Sequence, residues 1–201
     1  GITVDNLQAI DLTQGKFYTD MEHHWDNAYG YFTDAIDYPT NGTNRFWGKY
    51  ANKSYMQGID AEIAEAFRTG RAAITASRLA GGNGLAYHED VLFHRDIIIN
   101  KFHTMVAGIA IHYLYLTQDY YTDFVAGIVS QNRLNHFLSE AYAFMYGMHT
   151  LNGGVWASTI NNIISNIDAD FVGYSANSNQ IDADIQTIAN LVGITDPTIY
   201  H

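Results

Sequence analysis

The chain predicts an all-α fold, a helical bundle, and three observations predict it. Only two prolines occur among 201 residues, Pro39 and Pro197, so nearly everything between them is free to be helical. Apolar residues recur at spacings of three and four over long windows, the period of an amphipathic helix. Runs of Val, Ile and Thr bounded by turns, which a sheet would need, are missing.

The elements follow in chain order. Phe17, Met21, Trp25, Ala28 and Phe32 place a helix over 16–33. It should stop before DYPTNGTN (37–44), a stretch of turn formers. RFWGKYANKS (45–54) reads as an irregular aromatic segment, with Phe46, Trp47 and Tyr50 pressed onto the bundle as anchors. A second helix over 59–80 buries Ile63, Ala66, Phe67, Ala73 and Ile74, and its alanines permit close helix contact. AGGNG (80–84) supplies glycine for its C-terminus. A long helix over 85–117 comes next, then TQDYYTD (117–123) as a break and a short helical piece over 124–130. Helices over 134–150 and 156–167 are followed by a polar loop, GYSANSNQ (173–180). The last helix, 181–192, carries Ile181, Ile185, Ile188 and Leu191 on one stripe and ends at Gly193.

The length suits a single domain over 1–201, since domains run to roughly 100–200 residues. Twenty-one acidic residues against ten basic ones give a net charge of −11, which argues against a nucleic-acid backbone and against an anionic membrane surface. Cysteine is absent, so disulfides, thiolate catalysis and Cys-ligated zinc are excluded. The longest apolar stretch, near 105–116, is broken by His112, and no transmembrane segment is expected.

One pattern occurs twice. HHWDNAYGYF (23–32) and HFLSEAYAFM (136–145) share His-x-x-x-(Asn/Glu)-Ala-Tyr-(Gly/Ala)-(Tyr/Phe). On a helix, residues three and four apart share a face. His23 then stands beside Asp26 and Asn27, and His136 beside Glu140. Imidazole and carboxylate at this spacing form a half-site for a transition metal such as iron or zinc, and bundles build metal sites from such groups on facing helices. The candidate ligands are therefore His23, Asp26, His136 and Glu140, with Glu22 and Tyr142 in support. The competing reading makes them satisfied polar groups of the core, with Ala-Tyr as packing. YHEDVLFHRD (87–96) reads as a solvated charged face at a helix start. His-Glu-x-x-His, Gly-x-Ser-x-Gly, phosphate-loop and dinucleotide patterns are absent.

EHHWDNAYGYF (22–32), FWGKY (46–50), AFRTGRAAI (66–74), AGIAIHYL (107–114) and LSEAYAF (138–144), in this order, resemble an uncharacterised family of bacterial lipoproteins near imelysin. The resemblance implies an imelysin-like all-α fold with an internal duplication, which would account for the repeated motif. It implies an extracytoplasmic place, in the periplasm or on the bacterial cell surface, and a link to iron. It also implies that the chain is either a processed product or the C-terminal part of a longer protein, or else a member without a lipid anchor. The imelysin pattern Gly-x-His-x-x-Glu is met here only by His23-His24-Trp25-Asp26, with Asp26 in third place and no preceding glycine. Three functions are open at this point. The first is a non-catalytic envelope protein binding a metal ion or metal complex. The second is a cell-surface structural or interaction protein with another protein chain or surface complex as partner, using Trp47, Tyr50, Tyr55, Tyr120 and Tyr121. The third is a metallopeptidase, the activity attached to the imelysin group.

Overall fold

A computed structural model describes residue 15 and residues 17–41, 45–80 and 86–201. The described residues are all-α, with no strand among them. The chain divides into two compact units, residues 1–101 and 102–201, and each has its own core.

In the first unit, α1 spans Asp20–Phe32, α2 Phe46–Ala51 and α3 Ile59–Leu79, and the helix α4, His88–Val125, begins. Thr19 starts α1 with a reciprocal cap. Its hydroxyl accepts from the Glu22 amide, and its own amide donates to Glu22 Oε2 at 2.7 Å. Helix α1 packs on α3. Trp25 meets Phe67 edge-on and donates its indole N–H to the Phe67 carbonyl at 2.9 Å. The approach requires Gly70, where a Cβ would lie 2.2 Å from the Trp25 ring. Segment 45–54 is not irregular as expected: it forms α2 and a 3₁₀ turn, Ser54–Met56. Tyr38, fully buried, ties the preceding turns to α2 through its hydroxyl on the Gly48 carbonyl at 2.9 Å. Of the expected anchors, Phe46 is half exposed. The glycines expected to stop α3, at 81–84, lie outside the described residues.

The second unit holds the rest of α4, then α5 Gln131–Gly147, α6 Ala157–Ala169, α7 Phe171–Ser175 and α8 Ser178–Val192. TQDYYTD does not break α4, which runs on to Val125. It contains no glycine or proline, and the stop comes at Gly127, at φ 73°, with the Ile128 and Gly127 amides on the Asp123 and Phe124 carbonyls. The expected helix over 124–130 is this C-terminal turn. The polar stretch 173–180 is not a loop throughout. Asp170 caps the Gly173 amide and Asn177 caps the Gln180 amide, so one short helix and the start of α8 occupy it. Leu134, Leu138, Ile160, Ile167, Ile181 and Ile188 form the core. A 3₁₀ turn, Pro197–Tyr200, lays Tyr200 on Gly108, with His112 Nδ1 on the Tyr200 carbonyl at 2.8 Å. His201 stacks on Tyr115 and pairs with Asp119 at 2.9 Å. By length and composition α4 is apolar enough to cross a membrane despite His112, and 44% of its most apolar window is buried inside the protein.

Candidate functional site

Among the described residues of the first unit, a polar cluster grows from one buried carboxylate. Glu22 is 1% exposed. Capping fixes one of its oxygens on the Thr19 amide. The other faces α3, where Arg71, Thr75 and Arg78 stand four and three residues apart on one face. Glu22 Oε1 takes Arg71 Nη1 at 3.0 Å, Thr75 Oγ1 at 2.9 Å and Arg78 Nε at 3.2 Å. Burial alone would raise its pKa. The Thr19 amide, the Thr75 hydroxyl and the two guanidiniums outweigh burial and hold the carboxyl below its ordinary range. Arg71 also reaches out to Asp26, Nε to Oδ1, at 2.7 Å.

Beside this cluster lies a cavity of about 130 Å³ lined by Trp25, Tyr29, Ile36, Phe67, Asp26, Arg68 and Arg71. Three aromatic rings wall it, and two guanidiniums and one carboxylate edge it. Arg68 bonds the Tyr38 carbonyl at 3.1 Å and pairs with the exposed Glu65. Tyr29 donates to the Ala35 carbonyl at 2.8 Å, which holds the chain after α1 against the cavity.

The four predicted ligands divide evenly between the units. His23 and Asp26 belong to the first, His136 and Glu140 to the second. His23 is exposed, stacks on Tyr18 and accepts from Asn27 Nδ2 at 3.2 Å. Asp26 is committed to Arg71. His136 is exposed with its ring edge-on to Phe137, and Glu140 is half-buried. Tyr142 donates weakly to Asp168, at 3.4 Å. Among the described residues no group of three or more His, Asp or Glu side chains is placed to hold a metal ion.

The competing view places both histidines in the core, whereas both are exposed. What the two motif copies share is buried at other positions. Two before and two and nine after the histidine stand Met21, Trp25 and Phe32 in one copy, and Leu134, Leu138 and Met145 in the other, all buried. The alanines differ: Ala28 is exposed and Ala141 is fully buried. Segment 87–96 is not simply a solvated face, because Val91 is fully buried and His94 Nδ1 is buried with no hydrogen-bond partner.

Arg68, Arg71, Thr75 and Arg78 are the residues missed as site members. Their signal was present in the i, i+4, i+7 spacing of 71, 75 and 78, but the alanines of the same helix drew the reading toward packing. Trp47, Tyr50, Tyr55, Tyr120 and Tyr121 are half-buried. Among the described residues of the first unit, the large apolar groups most open to solvent are instead Ile36 at 94%, Phe17 at 81% and Tyr31 at 76%.

Comparison with curated proteins and with solved structures found no match. A family profile did match, over residues 3–191, and the chain accordingly belongs to the family described as a domain of unknown function (DUF4856).

Proposed function

We propose that the chain is a non-catalytic binding protein of the bacterial cell envelope that takes a metal as an organic complex, at the arginine-edged cavity between α1 and α3. The envelope setting rests on the ordered motifs that resemble the imelysin neighbourhood. The observation that carries the ligand class is the cavity. At about 130 Å³ it is close to the size of engineered cavities of about 150 Å³ that hold one benzene ring. Its aromatic walls suit a flat ring, and Arg68 and Arg71 suit the anionic oxygens of a catechol-type chelator. A bare ion is less well supported, because Asp26 already faces a guanidinium and His23 already accepts from Asn27. A non-catalytic role fits the neighbouring charges, where Glu22 and Asp26 are neutralised by Arg71 and Arg78 rather than poised to move a proton.

Native mass spectra test this. The protein is recorded alone, with Zn²⁺, with Fe³⁺, and with the ferric complex of dihydroxybenzoate. The expected result is an adduct with the complex that is lost in Arg68→Gln and kept in His136→Ala. An adduct with the bare ion that is lost in His136→Ala would overturn it and favour the four-residue ion site.

A surface-interaction protein is the second reading, favoured by Ile36, which lines the cavity and is 94% exposed. In that reading a partner's side chain fills the cavity, and the spectra show neither adduct.

A further inference from the structure

A second and larger cavity of the first unit, about 250 Å³, has no part in the reading above. It shares Trp25 and Phe67 with the first, and Met21, Ala28, Ile98 and Ile99 complete its apolar wall. His24 and Arg95 also line it, but no polar atom faces the space, so both contribute carbon to its wall. No carboxylate lines the cavity. Water inside would find no hydrogen-bond partner on such a wall, whereas an apolar group would gain by leaving solvent.

We propose that this cavity holds the apolar tail of a carboxylate-headed amphiphile, with Arg95 receiving the head and His24 beside it. The guanidinium of Arg95 already pairs with one carboxylate, that of its chain neighbour Asp96. Arg95 Nε and Nη2 reach Asp96 Oδ1 at 2.8 and 2.5 Å. Both side chains are substantially exposed, at 41% and 54%. Exposed pairs of this kind contribute little, so a ligand carboxylate of the same charge can replace Asp96 at small cost. The acidity of the chain as a whole is a weak obstacle, since charges beyond about 8 Å are screened at physiological salt. The space exceeds the cavity of roughly 150 Å³ that holds one benzene ring, which suits a medium-length alkyl tail.

Octanoate and octan-1-ol are the probes, since they share a tail and differ in the head. Each is titrated into the unaltered protein by calorimetry, and into a Trp47→Phe/Trp156→Phe variant in which Trp25 emission reports the cavity. Calorimetry keeps the test valid if the double variant does not fold. Octanoate is expected to bind saturably and about tenfold more tightly than the alcohol, the scale of one hydrogen bond to a charged group. Arg95→Gln should bring octanoate down to the level of the alcohol and leave the alcohol unchanged. Ala28→Leu, at an exposed position that lines only this cavity, should abolish both. Equal binding of the two probes, an unaltered preference in Arg95→Gln, or no saturable binding would overturn the proposal. Neither variant touches the residues that line only the first cavity, so its reading is tested separately.

Discussion

Glu22 shows how much one side chain can organise. A carboxylate at 1% exposure would be costly alone, yet it receives a backbone amide, a hydroxyl and two guanidiniums. Removing the carboxylate leaves the Thr19 amide and two part-exposed guanidiniums without their acceptor, so Glu22→Ala should lower stability by about 1–3 kcal/mol in urea unfolding. The pH dependence follows from the depressed carboxyl. Its stabilisation is fully present above the unfolded-state carboxylate pKa and is lost as pH falls through the lower folded value. The gap between the unaltered protein and Glu22→Gln should therefore shrink as pH is lowered through that window. A gap constant with pH would show that ionisation of Glu22 contributes nothing. Asp184 runs the other way. Burial raises its carboxyl, only partly offset by the Tyr174 hydroxyl at 2.8 Å and the Gln180 amide at 3.1 Å. Its contribution is present below the unfolded-state pKa and lost as pH rises through the higher folded one. Asp184→Asn should accordingly gain on the unaltered protein as pH rises across that interval, read by unfolding midpoints at successive pH values.

At the scale of elements, helix existence was legible and helix ends were not. Of the apolar stripe named over 181–192, Ile181, Ile185 and Ile188 are buried and Leu191 is half-buried, because a three-four period translates directly into a packed face. The ends failed where capping, not periodicity, decides. Thr19-Asp20-Met21-Glu22 is a capping box written in the sequence, and it starts α1 four residues later than the apolar period implied. Asp170 and Asn177 turned an apparent loop into helix starts by the same means. The candidate site was legible only in part. His23 and Asp26 sit on the predicted face of α1, but spacing within one helix says nothing of the arginines that another helix brings to Asp26 and Glu22. Gly70 is the position on which that helix pair depends. In Gly70→Ala the added carbon would meet the Trp25 ring at 2.2 and 2.6 Å, while the indole is held by the Phe67 carbonyl. Overpacking of this kind costs about 1–3 kcal/mol. Alanine's better helix propensity returns roughly 1 kcal/mol of that. A net loss with a shifted Trp25 emission is expected, and unchanged emission would mean that α3 yields instead of the ring.

For the whole molecule, the informative fact is that two compact units draw on one continuous helix. The division falls between Lys101 and Phe102, inside His88–Val125. Val91 belongs to the core of the first unit, and Met105, Ile109 and Leu114 to that of the second. A helix is cooperative along its length, since each added residue extends an existing hydrogen-bonded ladder. Loss of either core therefore frays a helix that the other core needs. Calorimetric unfolding of the unaltered protein should show a single transition, with the van't Hoff and calorimetric enthalpies in agreement. Asn100→Pro removes one ladder hydrogen bond and clashes with the preceding turn, at a cost of about 3 kcal/mol or more in a helix interior. With the ladder interrupted at the division, the two cores should melt in separable steps. Two transitions already present in the unaltered protein would show that α4 does not couple the units and that each folds on its own account.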